Sequence, residues 1–257
     1  MIEPISASVI TKDLEEIYLD HYRNKNSSVI VIAHGFFNSR KSILIRQLAQ
    51  SLVEKFDVIT FDFRGHGDSK GLFYWTAKEY QDLEAVLDFA REKRYRRIGL
   101  VGFSLGAAIS IIGLAKTKKV KSFACVSAPV DFEKIDYYFW ELDIENDIFY
   151  SLVGEGRYGK GVRPGPFWLK KDNPVNLVDK IKIPILFVHG DADWVIKSWH
   201  SQLLYEKAAS QHKRLVIIKG GPHAEYIMRK NGPEFVAILK DWFFETLLIQ
   251  KTGGEHA

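Results

Sequence analysis

The sequence predicts an α/β domain with a mostly parallel central sheet of about eight strands and helices on both faces. Three observations predict this class. Apolar runs of strand length are nearly continuous in Val, Ile, Leu and Phe, as in parallel strands that are buried on both faces. Longer segments of helical period follow most of these runs. The 257 residues, 46% of them hydrophobic, suit a single domain over residues 1–257.

Two patterns predict the strands. Apolar and polar residues alternate over residues 6–13 and 15–22, which predicts a half-exposed hairpin near an edge of the sheet. The strands buried on both faces are predicted at residues 27–35, 57–65, 97–104, 120–128, 183–190 and 213–221.

The helices are predicted between and after these strands. From Tyr80 to Ala90, for example, apolar residues recur at three- and four-residue spacing and so form one face of a helix. The predicted helices cover residues 39–56, 76–95, 105–119, 198–211 and 232–250.

One stretch, residues 131–180, interrupts this alternation. It holds ten aromatic residues and a run rich in Gly and Pro. An aromatic insertion must pack on an apolar surface, and the free space in an open α/β sheet lies above the carboxyl ends of the strands. We therefore predict a small cap with apolar walls that suit a short or medium acyl chain or an aromatic ring. The side chains predicted to contact substrate are Tyr138, Trp140, Phe149, Phe167 and Trp168.

Charge and cysteine content argue against several classes of function. The formal net charge of +4 is too small to indicate a nucleic-acid partner or a membrane surface. Cys125 is the single cysteine, so no intrachain disulfide forms, and its apolar neighbours indicate a buried structural thiol. The sequence has neither a secretory leader pattern nor a run of about 18 apolar residues. We expect a cytoplasmic protein without membrane insertion; its oligomeric state is left open.

Ser104 stands between Gly102 and Gly106, where a predicted strand meets a predicted helix. A serine in so sharp a turn has strained backbone angles, and the residues two before and two after it must be small. The helix that begins at Leu105 also points its free N–H groups toward the serine, where they can hold an anion. The pattern therefore indicates a nucleophilic serine.

A serine hydroxyl needs a neighbouring base to become a good nucleophile. His223 is favoured because it follows the last predicted strand, after a Gly-Gly-Pro turn that would carry the imidazole over the edge of the sheet. The rival interpretation is a structural loop histidine. The other histidines are assigned to turns after strands, to helix neighbourhoods, to the hairpin or to the tail: His34, His66, His189, His200, His212, His21 and His256.

The base in turn needs a carboxylate that fixes its tautomer and stabilises the imidazolium. Asp193 is favoured because it lies three residues beyond Gly190, far enough past the strand to turn toward a histidine in the next loop. Asp191 is predicted to brace the turn instead. Asp131, just after the preceding strand, is a lesser candidate.

Over essentially the whole chain, these motifs resemble the serine α/β-hydrolases. Residues 102–106 match the G-x-S-x-G nucleophile elbow, residues 190–193 match the acid loop, and residues 220–223 match the late histidine loop. The order Ser, Asp, His is also that of the family. The resemblance implies the α/β-hydrolase fold and a catalytic triad of Ser104, Asp193 and His223.

Two further segments are similar to segments of the same family. Residues 34–39 resemble its oxyanion loop, which implies that the backbone N–H groups of Phe36 and Leu105 form an oxyanion hole. Residues 62–69 resemble a turn that we interpret as structural.

The resemblance implies a serine hydrolase, in the first place a carboxylesterase that acts on a small-molecule ester through an acyl-enzyme. It implies no cofactor, and the sequence has no metal-ligand spacing and no dinucleotide-binding motif. A thioesterase, peptidase, acyltransferase or carbon–carbon bond hydrolase would use the same triad, so these activities are left open. The alternative from another class is a ligand-binding scaffold without turnover.

Overall fold

A sheet of eight strands forms the centre of the protein. The computed structural model describes residues 1–131 and 161–249. The strands are β1 (Ile5–Ile10), β2 (Glu16–Tyr22), β3 (Ser28–Ala33), β4 (Asp57–Phe61), β5 (Arg97–Phe103), β6 (Ser122–Val126), β7 (Ile185–Gly190) and β8 (Lys213–Ile218). Their order is β1-β2-β4-β3-β5-β6-β7-β8, with β1 and β2 antiparallel to their neighbours and all other pairs parallel. The mostly parallel sheet predicted from the sequence is confirmed.

Helices cover both faces of this sheet, also as predicted. They are α1 (Ile43–Leu52), α2 (Tyr80–Glu92), α3 (Leu105–Leu114), α4 (Trp199–Lys207) and α5 (Ile227–Phe243). On one face α1 and α5 bury Leu48 and Phe235. On the other face α2, α3 and α4 bury Leu83, Ile109 and Leu204. Burial of each such side chain contributes roughly 1.5–3 kcal/mol, so the two cores hold the helices on the sheet.

The last strand and the last helix differ from the prediction. β8 is the edge strand of the described sheet and only partly buried, with Ile217 38% exposed, because none of the described strands pairs with its outer side. The final helix begins at Ile227 rather than Gly232, with a kink at Asn231 (φ −124°, ψ 27°). The kink lets Pro233 occupy the first turn after the break, where its missing N–H is not needed.

The turn between β1 and β2 is fixed to the rest of the fold by a buried arginine. Arg64 contacts Asp13 of that turn at 2.6 Å and Asp82 of α2 at 2.7 Å. The guanidinium has no exposed surface, so two carboxylates balance a charge that would be costly to bury alone.

The chain order creates a crevice above β3 and β5. β3 and β5 are neighbours, and β3 connects through α1 to β4 on one side while β5 connects through α3 to β6 on the other, so the two connections leave in opposite directions. Ligands of open α/β sheets bind at the carboxyl ends of strands beside such a switch point. Ser104 directly follows β5, and Gly35 follows β3 by two residues.

The described part of the predicted cap begins at residue 161. Val162 and Pro164 pair with His66 and Phe73 of the loop after β4, and short 3₁₀ turns follow at Pro174–Asn176 and Val178–Lys180. Three residues predicted to contact substrate lie outside the described residues: Tyr138, Trp140 and Phe149.

Within the described ranges, no helix is both long and apolar enough to cross a membrane.

Candidate active site

Ser104 occupies a strained turn between β5 and α3. Its backbone angles are φ 48° and ψ −113°, a conformation that costs a non-glycine residue about 1–3 kcal/mol. The two flanking glycines permit the turn, because a Cβ at Gly102 would lie 2.7 Å from the Cα of Ala107 and one at Gly106 would lie 2.4 Å from the carbonyl oxygen of Ala33. The strain is therefore held by close packing on both sides of the serine.

The structure brings Ser104, His223 and Asp193 into one hydrogen-bonded chain. Nε2 of His223 lies 2.9 Å from Oγ of Ser104, and Nδ1 of His223 lies 2.7 Å from Oδ2 of Asp193. A carboxylate can only accept, so Nδ1 carries the proton and Nε2 is left to accept from the serine hydroxyl. This is the tautomer that a general base toward Ser104 requires.

Asp193 is buried and surrounded by donors. Its Oδ1 accepts the N–H groups of Val195 at 2.9 Å and Ile196 at 2.8 Å. Burial opposes ionisation, but the charge interaction with His223 and hydrogen bonds from His189 and His223 outweigh it and hold the pKa of Asp193 below its usual range. The carboxylate therefore stays charged at neutral pH.

The two other aspartates considered from the sequence lie elsewhere. Oδ1 of Asp191 accepts the N–H of Gly220, so this side chain braces the turn. Oδ2 of Asp131 accepts from the amide of Asn173 at 3.0 Å.

A second histidine, His189, supports the acid. Its Nε2–H points to the carbonyl oxygen of Ile196 at 2.6 Å and lies 3.2 Å from Oδ2 of Asp193. Its Nδ1 accepts from the hydroxyl of Ser201 at 2.7 Å. The local sequence predicts a turn at His189 but does not predict its contact with Asp193, because nothing in the pattern shows which way the ring points.

The other two histidines predicted in turns, His34 and His66, hydrogen-bond to the backbone. Nδ1 of His34 donates to the carbonyl of Gly35 at 2.7 Å, and its Nε2 accepts the N–H of Phe63 at 3.1 Å. Burial lowers the pKa of His34 to about 4 and that of His66 to about 3. Both rings are therefore neutral at neutral pH.

The loop that carries His223 is fixed by Ser127, a serine that no sequence motif singles out. Ala224 has φ +47° and donates its N–H to Oγ of Ser127 at 3.2 Å. Ser127 follows β6, and its own N–H donates to the carbonyl of Val188 in β7 at 2.9 Å. The loop that carries His223 is thus tied to two neighbouring strands.

Phe36 and Leu105, the residues expected to form an oxyanion hole, line the same cavity as Ser104. Leu105 is the first residue of α3, so its N–H has no partner within the helix and lies at the positive end of the helix dipole. Phe36 lies between Gly35 and Phe37, and Phe37 has φ +63°.

The cavity beside Ser104 has a volume of about 450 Å³ and is largely apolar. Its aromatic wall comes from the loops at the carboxyl ends of the strands. The residues are Phe36, Phe37, Phe73, Trp75, Trp194 and Tyr226. Among the described residues of the predicted cap, Lys171 lines this cavity.

Phe167 and Trp168, predicted as substrate contacts, do not line this cavity. They are 66% and 73% exposed, and their rings contact each other at a centroid distance of 5.4 Å. The pairing of Val162 and Pro164 with the loop after β4 leads the following residues to the surface. The aromatic wall contains instead residues such as Phe73 and Trp75. In the sequence, an aromatic run soon after residues 62–69 is the feature that could have indicated them.

A metal centre has no support in the part of the chain that the structure describes, where no three His, Cys, Asp or Glu side chains are grouped to hold an ion.

Comparisons with known proteins agree with this architecture. A family profile described as alpha/beta hydrolase fold matches residues 28–146, and one described as serine aminopeptidase, S33, matches residues 172–226. An esterase structure from Pyrococcus furiosus superposes with a TM-score of 0.76 over 96% of this chain and 94% of that chain, at 22% identity.

Two sequence relatives extend the comparison. An uncharacterised 31.7 kDa protein of Escherichia coli is 31% identical over 266 residues, covering 86% of this chain and 91% of its own. A probable alcohol acetyltransferase of Cyberlindnera jadinii is 30% identical over 114 residues, which cover 42% of this chain and 31% of that protein. With its eight-stranded sheet, its helices on both faces and these matches, the chain belongs to the α/β-hydrolase superfamily.

Proposed function

We propose that this protein is a serine hydrolase that cleaves carboxylic esters of small to medium apolar or aromatic molecules. The observation that carries the proposal is the chain of hydrogen bonds from Ser104 through His223 to Asp193 at the wall of an apolar cavity. The similarity to an esterase of the same fold is in keeping with this activity.

In the first half of the reaction, Oγ of Ser104 attacks the carbonyl carbon of the ester while Nε2 of His223 takes the hydroxyl proton. The ionised Asp193 stabilises the imidazolium that results. The tetrahedral intermediate then collapses, its bond to the alcohol oxygen breaks, and His223 gives its proton to the departing alcohol. The acyl group stays on Ser104.

The negative oxygen of the intermediate would lie between the N–H groups of Phe36 and Leu105. Such preorganised donors act at the moment when charge develops, and one donor contributes roughly 10²- to 10³-fold to the rate. The amino terminus of α3 adds its dipole at the same place.

In the second half, water replaces the alcohol. His223 removes one proton from the water as its oxygen attacks the acyl carbon, and it returns that proton to Oγ of Ser104 when the acid leaves. The cycle is complete without a cofactor, since every proton that is moved starts and ends on the serine, the base, the alcohol or the water.

The cavity favours an apolar acyl group. Phe36 and Trp75 both pack against Phe73, with ring centroids 5.4 Å and 5.3 Å away. A volume of about 450 Å³ accommodates a small or medium ligand. Aromatic walls bind aliphatic chains and rings by apolar burial with little requirement for charge.

A second candidate function is acyl transfer to an alcohol, which the partial similarity to a probable alcohol acetyltransferase favours. The first half-reaction is the same, and an alcohol takes the place of water in the second. The ratio of new ester to free acid, measured with ethanol or propanol added to the reaction, would distinguish the two activities. A transferase forms mainly the new ester at millimolar alcohol, whereas a hydrolase forms mainly the acid.

The first test compares the wild type with Ser104→Ala in hydrolysis of p-nitrophenyl acetate and butyrate. A fluorophosphonate label, read by intact mass, gives an independent measure of the nucleophile. Ser110→Ala is the matched control, because Ser110 is a buried serine of α3, the helix that follows Ser104, and its hydroxyl donates to the carbonyl of Gly106 at 2.6 Å. Turnover and label should both disappear in Ser104→Ala and persist in Ser110→Ala. A wild type that neither turns over nor takes the label would support the ligand-binding alternative.

A further inference from the structure

A buried carboxylic acid lines the cavity beside Ser104, and the hydrolytic mechanism does not use it. Glu225 is 3% exposed and lies two residues after His223. An acid in an apolar cavity is costly unless its oxygens have partners. The hydrogen-bond partners of the Glu225 carboxylate therefore indicate what the side chain contributes at this position.

Glu225 binds the first residue of the segment that carries the Phe36 N–H. Its Oε1 accepts the N–H of Gly35. Asn38, at the other end of this segment, lines the same cavity, and its Oδ1 accepts from the hydroxyl of Ser42 at 3.0 Å.

The segment held in this way is strained, and so is the loop that holds it. Phe37 has φ +63° and Ala224 has φ +47°, both in the left-handed region. Such a conformation is unfavourable for a non-glycine residue and persists only where surrounding contacts enforce it. Glu225 supplies contacts of this kind between the two loops.

Gly35 fits the carboxylate closely. A Cβ at this position would lie 2.7 Å from Oε1 and 2.9 Å from Oε2 of Glu225. A side chain at position 35 would therefore displace the carboxylate that packs on it. Burial also raises the pKa of Glu225, which favours its neutral form and weakens its repulsion of a nearby oxyanion.

We propose that Glu225 is a positioning residue for the oxyanion hole: it holds Gly35 against the His223 loop, so that the N–H of the next residue, Phe36, faces the reacting carbonyl. This inference rests on the proposed hydrolase function and adds a residue to it. Glu225 acts through the backbone and does not touch the substrate's reacting atoms.

The test begins with Glu225→Ala. We expect kcat for p-nitrophenyl acetate to fall about 10- to 100-fold while KM changes less than about threefold, because a displaced donor weakens the transition state more than the bound substrate. A trifluoromethyl ketone, which forms a tetrahedral oxyanion on the serine, should lose affinity by the same factor. The matched control is Asp57→Ala.

Asp57 is suitable because it is also a buried acid that holds loop amides, with Oδ1 accepting the N–H groups of Asn24 at 2.8 Å and Asn26 at 3.0 Å. It lies at the amino end of β4, away from the cavity. Asp57→Ala should lower stability but leave kcat and the affinity of the ketone unchanged. An equal fall of kcat in both variants would overturn the positioning role.

A pair of variants of similar size decides the question if Glu225→Ala does not fold. Glu225→Gln keeps a side-chain oxygen that can accept the N–H of Gly35, so kcat should stay within about threefold of the wild type. Glu225→Met fills a similar space without this acceptor, so kcat should fall about 10-fold or more. Equal kcat in Glu225→Gln and Glu225→Met would refute the inference. An inactive and unlabelled wild type would instead refute the hydrolase proposal itself.

Discussion

Oδ2 of Asp193 lies 2.7 Å from Nδ1 of His223, across the gap between the loops that follow β7 and β8. The two loops can approach because both have glycine at the point of contact. A Cβ at Gly190 would lie 1.9 Å from the carbonyl oxygen of Gly221. The hydrogen bond therefore depends on a close backbone contact as well as on the two side chains that form it.

Asp193→Asn should reduce kcat/KM for p-nitrophenyl acetate about 10³- to 10⁴-fold, because an amide that donates toward Nδ1 stabilises the wrong tautomer of His223. Asp191→Asn is the control: Asp191 only braces Gly220 at an exposed turn, so activity should stay within about twofold. The measurement is steady-state kinetics of both variants, with the fold checked by circular dichroism. A larger loss in Asp191→Asn would reverse the assignment of the acid.

Trp75→Ala should weaken the binding of bulky acyl groups. Trp75 lines the cavity and packs on Phe73, so its removal should raise KM about 5- to 30-fold for p-nitrophenyl benzoate and much less for the acetate. Trp168→Ala removes the same side chain at a site that is 73% exposed and outside the cavity wall. It should leave both KM values unchanged. Equal effects of the two variants, or an effect independent of acyl size, would argue against the aromatic wall as the acyl site.

The sequence was most informative where a local pattern determines the backbone. Continuous apolar runs predicted the parallel strands, and the two glycines around Ser104 predicted a sharp turn that the structure contains. The placement of His223 and Asp193 after adjacent strands led to the expectation that they meet, because carboxyl ends of parallel strands share one edge. Their catalytic roles remain predictions.

The sequence was least informative where contacts between distant residues determine the structure. Glu225 and Gly35 are separated by 190 positions, so no local pattern could connect them. The cavity wall depends on the loop around Trp75 and Thr76, both with positive φ, a conformation that residue type alone would not suggest. The exposure of β8 likewise follows from its edge position, which the composition of the strand does not encode.

Acid should destabilise the protein through His34. Its pKa is about 4 in the folded state because of burial, against about 6.5 when unfolded, so the unfolded state binds more protons in this interval. The contribution of neutral His34 to the free energy of unfolding is therefore complete above about pH 6.5, and it is lost as the pH drops toward 4. Between pH 7 and pH 5 we expect His34 to account for a loss of about 2 kcal/mol.

Urea unfolding at several pH values would measure this loss. His34→Gln should be less stable at pH 7, because the hydrogen bonds of the ring to Gly35 and Phe63 are removed. Between pH 7 and pH 5, however, its free energy of unfolding should fall by about 2 kcal/mol less than that of the wild type. Parallel curves for the two proteins would show that His34 is not the group responsible.

Helix α3 offers a direct test of how tightly the Ser104 turn is packed, because it contains two glycines in different surroundings. A Cβ at Gly106 would meet the carbonyl oxygens of Ala33 and His34, each at 2.4 Å, and backbone cannot easily move. A Cβ at Gly113 would meet only the end of the Leu83 side chain at 3.1 Å and the Cβ of Tyr80 at 3.9 Å. Overpacking against backbone should lower the free energy of unfolding of Gly106→Ala by about 3 kcal/mol.

For Gly113→Ala, the gain in helix propensity of about 1 kcal/mol offsets the small shift of Leu83, so its stability should stay within about 1 kcal/mol of the wild type. Urea unfolding of the two variants measures both values. Gly106→Ala should also lose most of its activity, because moving α3 away from the loop after β3 separates Leu105 from Phe36. A Gly106→Ala variant that keeps wild-type stability and kcat would contradict the close packing that holds the strained serine in place.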